Sequence, residues 1–237
     1  MSRGTGEDGE ADGARPGRDE GPVPEDMGRA RLSAALDELG ERVFGGRDGA
    51  RRAAPLLERW DREIGVHTSL DSGHEALAAA RVDWALCDAE PPGAAPGDTW
   101  AWRAATGRVP GIEPSPLYRL LATTQAGIFE VWPGAPLLLR DRLRGLCVRV
   151  DEPAPWLGES RRAAALWELR LAFGTGAAWI CRTPIEYPLA IAPLLQRAHE
   201  GHWRAPQRID LTPWRRQRLR WARDRRGEDP RSFFSGL

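Results

Sequence analysis

The sequence predicts an α+β protein: a helical N-terminal half packed on a small antiparallel β-barrel or twisted meander, closed by C-terminal helices. Three observations carry this reading. Apolar residues recur at helical spacing through the first hundred residues or so, as in Leu32, Leu36, Leu39 and Val43. The stretch GIFEVWPGAPLLLRDRLRGLCVRV, residues 127–150, alternates with period two between Gly and Pro punctuation. Past residue 186 the helical spacing returns. The expected boundaries are an acidic tail over 1–27, a helical region over 28–125, a β unit over 126–185, and C-terminal helices and a tail over 186–237.

Residues 1–27 are mostly Gly, Asp, Glu, Arg and Pro. Such a segment buries too little apolar surface to offset its ordering entropy, so it is expected to be disordered. Over residues 1–30, eight acids face four arginines, a net of −4. The first helix then carries the Leu32–Val43 stripe and stops at Gly45-Gly46. A second holds Leu57, Trp60 and Ile64, with Pro55 in its first turn, where a missing N–H removes no bond. The third opens at Ser72-Gly73-His74-Glu75, a capping-box pattern, and buries Leu77, Ala80, Trp84 and Cys87. A Pro/Gly loop spans 88–98, a short helix holds Trp100 and Trp102, and a fifth begins at Ser115-Pro116, cap then first-turn proline.

Three strands are expected over 127–150, with a tight turn at Pro133-Gly134-Ala135-Pro136 and a looser one near Arg144-Gly145. A hairpin follows around Gly174-Thr175-Gly176. On its first strand Trp167, Leu169, Leu171 and Phe173 share one face, while Glu168 and Arg170 point to the other. Tyr187–Glu200 reads as helical, with Pro193 kinking it or marking its true start, and a last helix runs from Thr212-Pro213 to about Arg226.

Composition excludes several classes. Lysine and asparagine are absent, so all 34 bases are arginines, and 34 acids balance them. Neither absence looks chemical; both fit GC-rich coding, which weakens Arg count as a sign of phosphate binding. No apolar run approaches the ~18 residues of a membrane helix, and no signal-peptide core opens the chain, so a cytoplasmic location is expected. Cys87, Cys147 and Cys181 are too few and too widely spaced for a disulfide framework or a CxxC metal site, and each sits among apolar residues as a buried free thiol would.

Catalytic signatures are missing. His199-Glu200-Gly201-His202 is not HExxH, because its histidines stand three apart, and a helix end with exposed histidines accounts for it. No nucleophile elbow, P-loop or dinucleotide fingerprint is present, and no cofactor is expected. Asp83, Asp141 and Glu130 could form a hydrolase or transferase site only if the fold gathers them into one pocket. The segment 203–231 holds ten arginines against four acids, a net of +6, with Trp203, Trp214 and Trp221 interleaved. Arg216, Arg220, Arg223 and Trp221 are therefore candidate contacts to nucleic acid, through phosphate pairing and base stacking. The competing reading has Trp214 and Trp221 anchoring the helix to the core while the arginines face solvent.

The runs ARVDWALCD and SPLYRLLATTQAGIFEVWPGAPLLLRDRLRGLCVRV resemble a group of uncharacterised bacterial proteins. In that group a helix with an F/V-D-W pattern precedes a strand unit of the form GlFeV…LrDlltG…V. Asp83-Trp84 and Leu139-Arg140-Asp141 are the matching positions. Some of those proteins end in a SEC-C motif, a short Cys-rich zinc module; here no cysteine follows Cys181. The resemblance covers about a third of the chain and implies structural motifs without a catalytic role. The expected function is a non-enzymatic binding or interaction module with a protein partner; nucleic acid is the alternative partner and no membrane is involved.

Overall fold

The computed structural model describes residues 27–132, 136–150, 165–202 and 209–237, the side chains of 199–202 excepted. The 1–26 segment and the turn at 133–135 therefore lie outside the described residues. The architecture is α+β, with helices on both sides of a nearly closed antiparallel sheet.

α1 (Arg29–Phe44) buries Leu32, Leu36, Leu39 and Val43, as its spacing requires. α2 (Gly46–Glu63) follows after Gly45 alone, so the two helices form a tight corner. A Cβ on Gly45 would stand 2.3 Å from the Glu41 carbonyl oxygen, and one on Gly49 would stand 2.3 Å from the Phe44 carbonyl carbon. Gly46 takes φ +67°. Only glycine allows this approach. Arg52 Nε closes the corner by donating to Val43 O at 3.0 Å. α2 begins nine residues before Pro55, which lies inside it and not in its first turn. Gly49, Ala53, Leu56 and Trp60 bury one continuous stripe on both sides of the exposed proline. That burial outweighs the single backbone bond a proline forfeits.

α3 (His74–Cys87) departs from expectation at its start. Its N-cap is Gly73 at φ 72°, with no side-chain cap bond, so the Ser72–Glu75 box does not form. Asp71 organises the turn instead, taking the Thr68 N–H on its carboxylate at 2.6 Å and the His74 N–H on its carbonyl at 3.1 Å. Leu77 and Cys87 are buried as expected, but Ala80 and Trp84 are half-buried. Ala85 and Leu86 are buried as well, because α3 is covered on more than one side. α4 (Trp100–Ala105) is capped by Thr99, whose hydroxyl accepts from Trp102 N. α5 (Pro116–Ala122) is capped by Ser115 in the same way, accepting from Tyr118 N.

The strands are β1 (Gln125–Trp132), β2 (Leu137–Asp141), β3 (Cys147–Val150), β4 (Ala165–Gly174), β5 (Ala177–Ile180) and β6 (Ile185–Tyr187). Their spatial order is β3-β2-β1-β4-β5. β4 therefore returns beside β1, from Gln125↔Leu171 to Val131↔Ala165, where a simple meander would have placed it beside β3. The far edge of β4 is shared: β6 pairs its first half and β5 its second. β3 then comes near β5, which almost closes the sheet. The barrel interior holds Phe129, Val131, Leu139, Trp167, Leu169, Leu171 and Ile180.

The outward face of β4 is covered too. Leu166 packs into the C-terminal cluster with Ile128, Tyr187, Leu195, Trp214 and Phe234. Ala172 and Cys181 pack against α1, α4 and α5. Glu168 and Arg170 lie between these two covers and are 5% and 6% exposed. Phe173, at the strand end, is 38% exposed. β6 ends on Tyr187, the residue expected to open a helix. A 3-10 turn at Leu189–Ile191 then leads into α6 (Ala192–His202), so Pro193 marks the helix start. α7 (Thr212–Arg223) and α8 (Pro230–Phe234) complete the chain, α8 capped by Asp229. Among the described residues no helix is long and apolar enough to cross a membrane.

Candidate interaction surface

The sequence singled out α7, and the structure divides its arginines by depth. Arg215 and Arg218 are buried; Arg216, Arg220 and Arg223 are exposed. Exposure does not leave all three guanidinium groups to solvent. Arg223 grips Asp71 with two bonds of 2.7 Å and gives a third, of 2.6 Å, to Val66 O. The Arg223 contact holds the Asp71 carboxyl far below the usual carboxylate range. Arg216 Nε donates to Glu63 O. Arg218 donates to Ser72 O at 3.0 Å and to Glu186 O at 3.1 Å. Three arginines of α7 thus clamp the end of α2 and the loop that leads from it to α3. Trp214 is 5% exposed and stacks on Phe234 at 6.1 Å, while Trp221 is half-buried against the same cluster. Trp203, Arg204, Arg208 and the side chains of His199 and His202 lie outside the described residues. Among the described residues no group of three His, Cys, Asp or Glu side chains could hold a metal ion.

Two of the candidate carboxylates, Asp83 and Asp141, are buried and Glu130 is half-buried, and each is held by an arginine. Asp83 on α3 is 1% exposed and receives Arg182 at 3.0 and 3.1 Å. Burial pushes the Asp83 carboxyl up, and Arg182 opposes it. Asp141 on β2 caps its own turn: Oδ1 accepts from Leu143 N and Arg144 N at 2.9 Å, and Oδ2 pairs with Arg144 at 2.6 Å. Glu130 on β1 pairs with Arg142. None of the three lines the groove over α1–α3 or the smaller cavity beside Arg215. Cys87 and Cys181 are buried, and burial pushes the Cys87 thiol up to about 12 and that of Cys181 higher still. Neither is a thiolate at neutral pH, so neither is primed as a nucleophile. Cys147 is exposed, contrary to the apolar neighbours that suggested burial, because Val148 and Val150 lie on the other face of β3 and Leu146 is itself exposed.

A further buried cluster escaped sequence reading. Glu168 of β4 receives Arg215 Nε and Nη2 on one carboxylate oxygen at 2.8 and 2.6 Å, and the Tyr187 hydroxyl on the other at 3.1 Å. The Arg215 guanidinium lies over the Trp60 ring, 4.7 Å from its centroid. Burial and the adjoining Glu168 carboxylate push the Tyr187 hydroxyl well above its usual range. Beside it Arg170 pairs with Asp88 and with Thr124 Oγ1 at 3.0 Å. Such fully paired charges lock elements together and leave no group poised for proton transfer. The one legible signal was β4 itself, where Leu166 and Ala172 share the face of Glu168 and Arg170 and mark it as covered.

No protein-family model, curated protein or solved structure matches the chain. The surface is therefore read from its own residues. A small cavity of about 200 Å³, of mixed lining, lies between Trp84, Asp88, Thr124, Ile209, Leu211 and Arg215. The larger one is a groove of about 780 Å³ across α1, α2 and α3. Leu36 and Gly40 of α1, Ala53 and Ala54 of α2, and Ala78 and Val82 of α3 lie along it, with Phe44 and Leu57 toward the corner. Its rim carries Asp37 and Glu41 from α1, Glu58 from α2, and Arg81 and Arg182. The one-glycine corner between α1 and α2 sets its width, since Gly45 and Gly49 bring the two helices together.

Proposed function

We propose that this protein is a non-enzymatic interaction module whose groove over α1–α3 receives a segment of a protein partner. The supporting observation is the groove itself: an open apolar trough, floored by small residues, that no other element of the described fold covers. Apolar surface left uncovered and rimmed by polar residues marks an interaction site. The pairing of Asp83, Asp141, Glu130 and Glu168 with arginines supports the same reading, because each carboxylate is spent on holding the scaffold.

Site-specific photocrosslinking in the native host tests it. A photoreactive residue at Ala54, in the groove, should yield one discrete adduct, and Ala79→Trp, which fills the groove, should abolish that adduct. The same residue at Leu146, 56% exposed on the loop between β2 and β3, should not yield it. Identical patterns at both positions, or none at Ala54, would overturn the proposal. Nucleic-acid binding through Arg216, Arg220, Arg223 and Trp221 of α7 is the competing reading; the three arginines are exposed and Trp221 is half-buried, and a gel shift decides it.

A further inference from the structure

Resting on the docking role of this groove, we infer that its occupant is a basic amphipathic helix of a protein partner. Two independent features point there. The first is hydrogen bonding. The walls are three α-helices, whose backbone groups are satisfied internally, so they offer an extended chain no ladder. An extended segment would bury its own N–H and C=O groups unpaired, whereas a helix brings them already bonded. The floor suits a helix as well. Gly40, Ala53, Ala54 and Ala78 project little, so a second helix backbone can approach closely and lay an i, i+3, i+4, i+7 stripe against Phe44, Leu57 and Val82.

The second feature is charge. Both rim arginines are already committed, Arg81 to Asp61 and Arg182 to Asp83 and Asp37. Asp37 is taken up by Arg182, which leaves Glu41 on α1 and Glu58 on α2, both exposed and without an ion pair among the described residues. Two such acids on different walls make the edge of the groove negative and favour a partner of the opposite sign. The complement is a helix with a base on each flank. The acidic, apolar-poor 1–26 segment of this chain has neither the stripe nor the sign to fit.

The test uses the full chain and dye-labelled peptides of 18 or so residues, followed by fluorescence anisotropy. One peptide is built from Leu and Ala on the stripe with Lys on both flanks; its counterpart carries Glu in place of every Lys. The Lys peptide should bind, weaken as salt rises, and lose about tenfold in affinity on Glu41→Gln with Glu58→Gln, the sum of modest exposed charge contacts. Neither substitution should move the urea midpoint, because both side chains are exposed. Ala54→Trp should abolish binding, which separates the groove from general attraction to acidic surface. Equal binding of the Glu peptide, or retention of the Lys peptide by either variant, would overturn the inference. If neither peptide binds while the Ala54 crosslink still captures a single protein, the helix assignment fails and the docking role survives; if both experiments are blank, both fall.

Discussion

Arg215→Met is the sharpest probe of what holds the scaffold. Glu168 and Arg215 side chains are each 4% exposed, and their contacts tie β4 to α7, β6 and, through Trp60, α2. The substitution leaves the Glu168 carboxylate buried with only the Tyr187 hydroxyl. Removing one partner of a buried pair costs about 3–5 kcal/mol, and for a chain of this size that is a drop of roughly 6–20 °C in Tm. Loss of the contact over Trp60 adds about 0.5–2 kcal/mol. Adding Glu168→Leu removes the stranded charge, so the double variant should recover most of the loss, since an apolar pair of similar volume is often as stable as a buried ion pair. Urea denaturation with an unchanged m-value is the assay. If Arg215→Met costs under ~1 kcal/mol, or the double variant is no better than the single, the pair is not buried as described and the reasoning fails.

Other outcomes follow from the same contacts. Gly45→Ala should destabilise by about 1–3 kcal/mol, reversing the usual gain from Gly→Ala, because its Cβ would meet Glu41 O at 2.3 Å; a raised urea midpoint would refute the corner geometry. The Asp71 carboxyl is depressed by Arg223, so its contribution is present above the unfolded value near ~3.9 and is lost as pH falls through the folded one. Between about pH 5 and pH 2 the parent should therefore lose more stability than an Arg223→Ala variant, and equal losses would show that the clamp on the α2–α3 loop contributes nothing. A gel shift with single-stranded RNA or DNA at low salt should show no complex at micromolar protein, since Arg216 and Arg223 are committed to the end of α2 and the loop after it and Trp221 to the cluster beneath; a complex abolished by Arg216→Glu with Arg220→Glu would restore the nucleic-acid reading.

Local signals made much of the fold legible. The Leu32–Val43 stripe, the Ser115 cap, the 174–176 hairpin and the alternation over 127–150 each specify an element by short-range physics, and each is found in place. What was not legible depends on partners distant in sequence. The Ser72 box yields to Gly73 because Asp71 is drawn to Arg223, 152 residues away. β6 has only three residues and exists because β4 has a free edge beside it. Pro55 reads as a helix start until the stripe on both sides of it is seen to be buried. The groove has no motif at all: its floor is Ala and Gly, residues that signal nothing individually, and it arises only when three helices meet. The arginines of α7 show the converse error, since composition marks them as a surface for phosphate while geometry spends Arg215, Arg216, Arg218 and Arg223 on the protein itself.

The central claim, that the α1–α3 groove is where a partner docks, is tested most directly by amide hydrogen exchange on the complex with the protein captured through Ala54. Docking in the groove slows exchange along residues 36–45, 50–58 and 78–82 and leaves α7 and the barrel strands unchanged. Protection centred on α7 or on the barrel, with α1–α3 exchanging as in the free protein, would contradict the account.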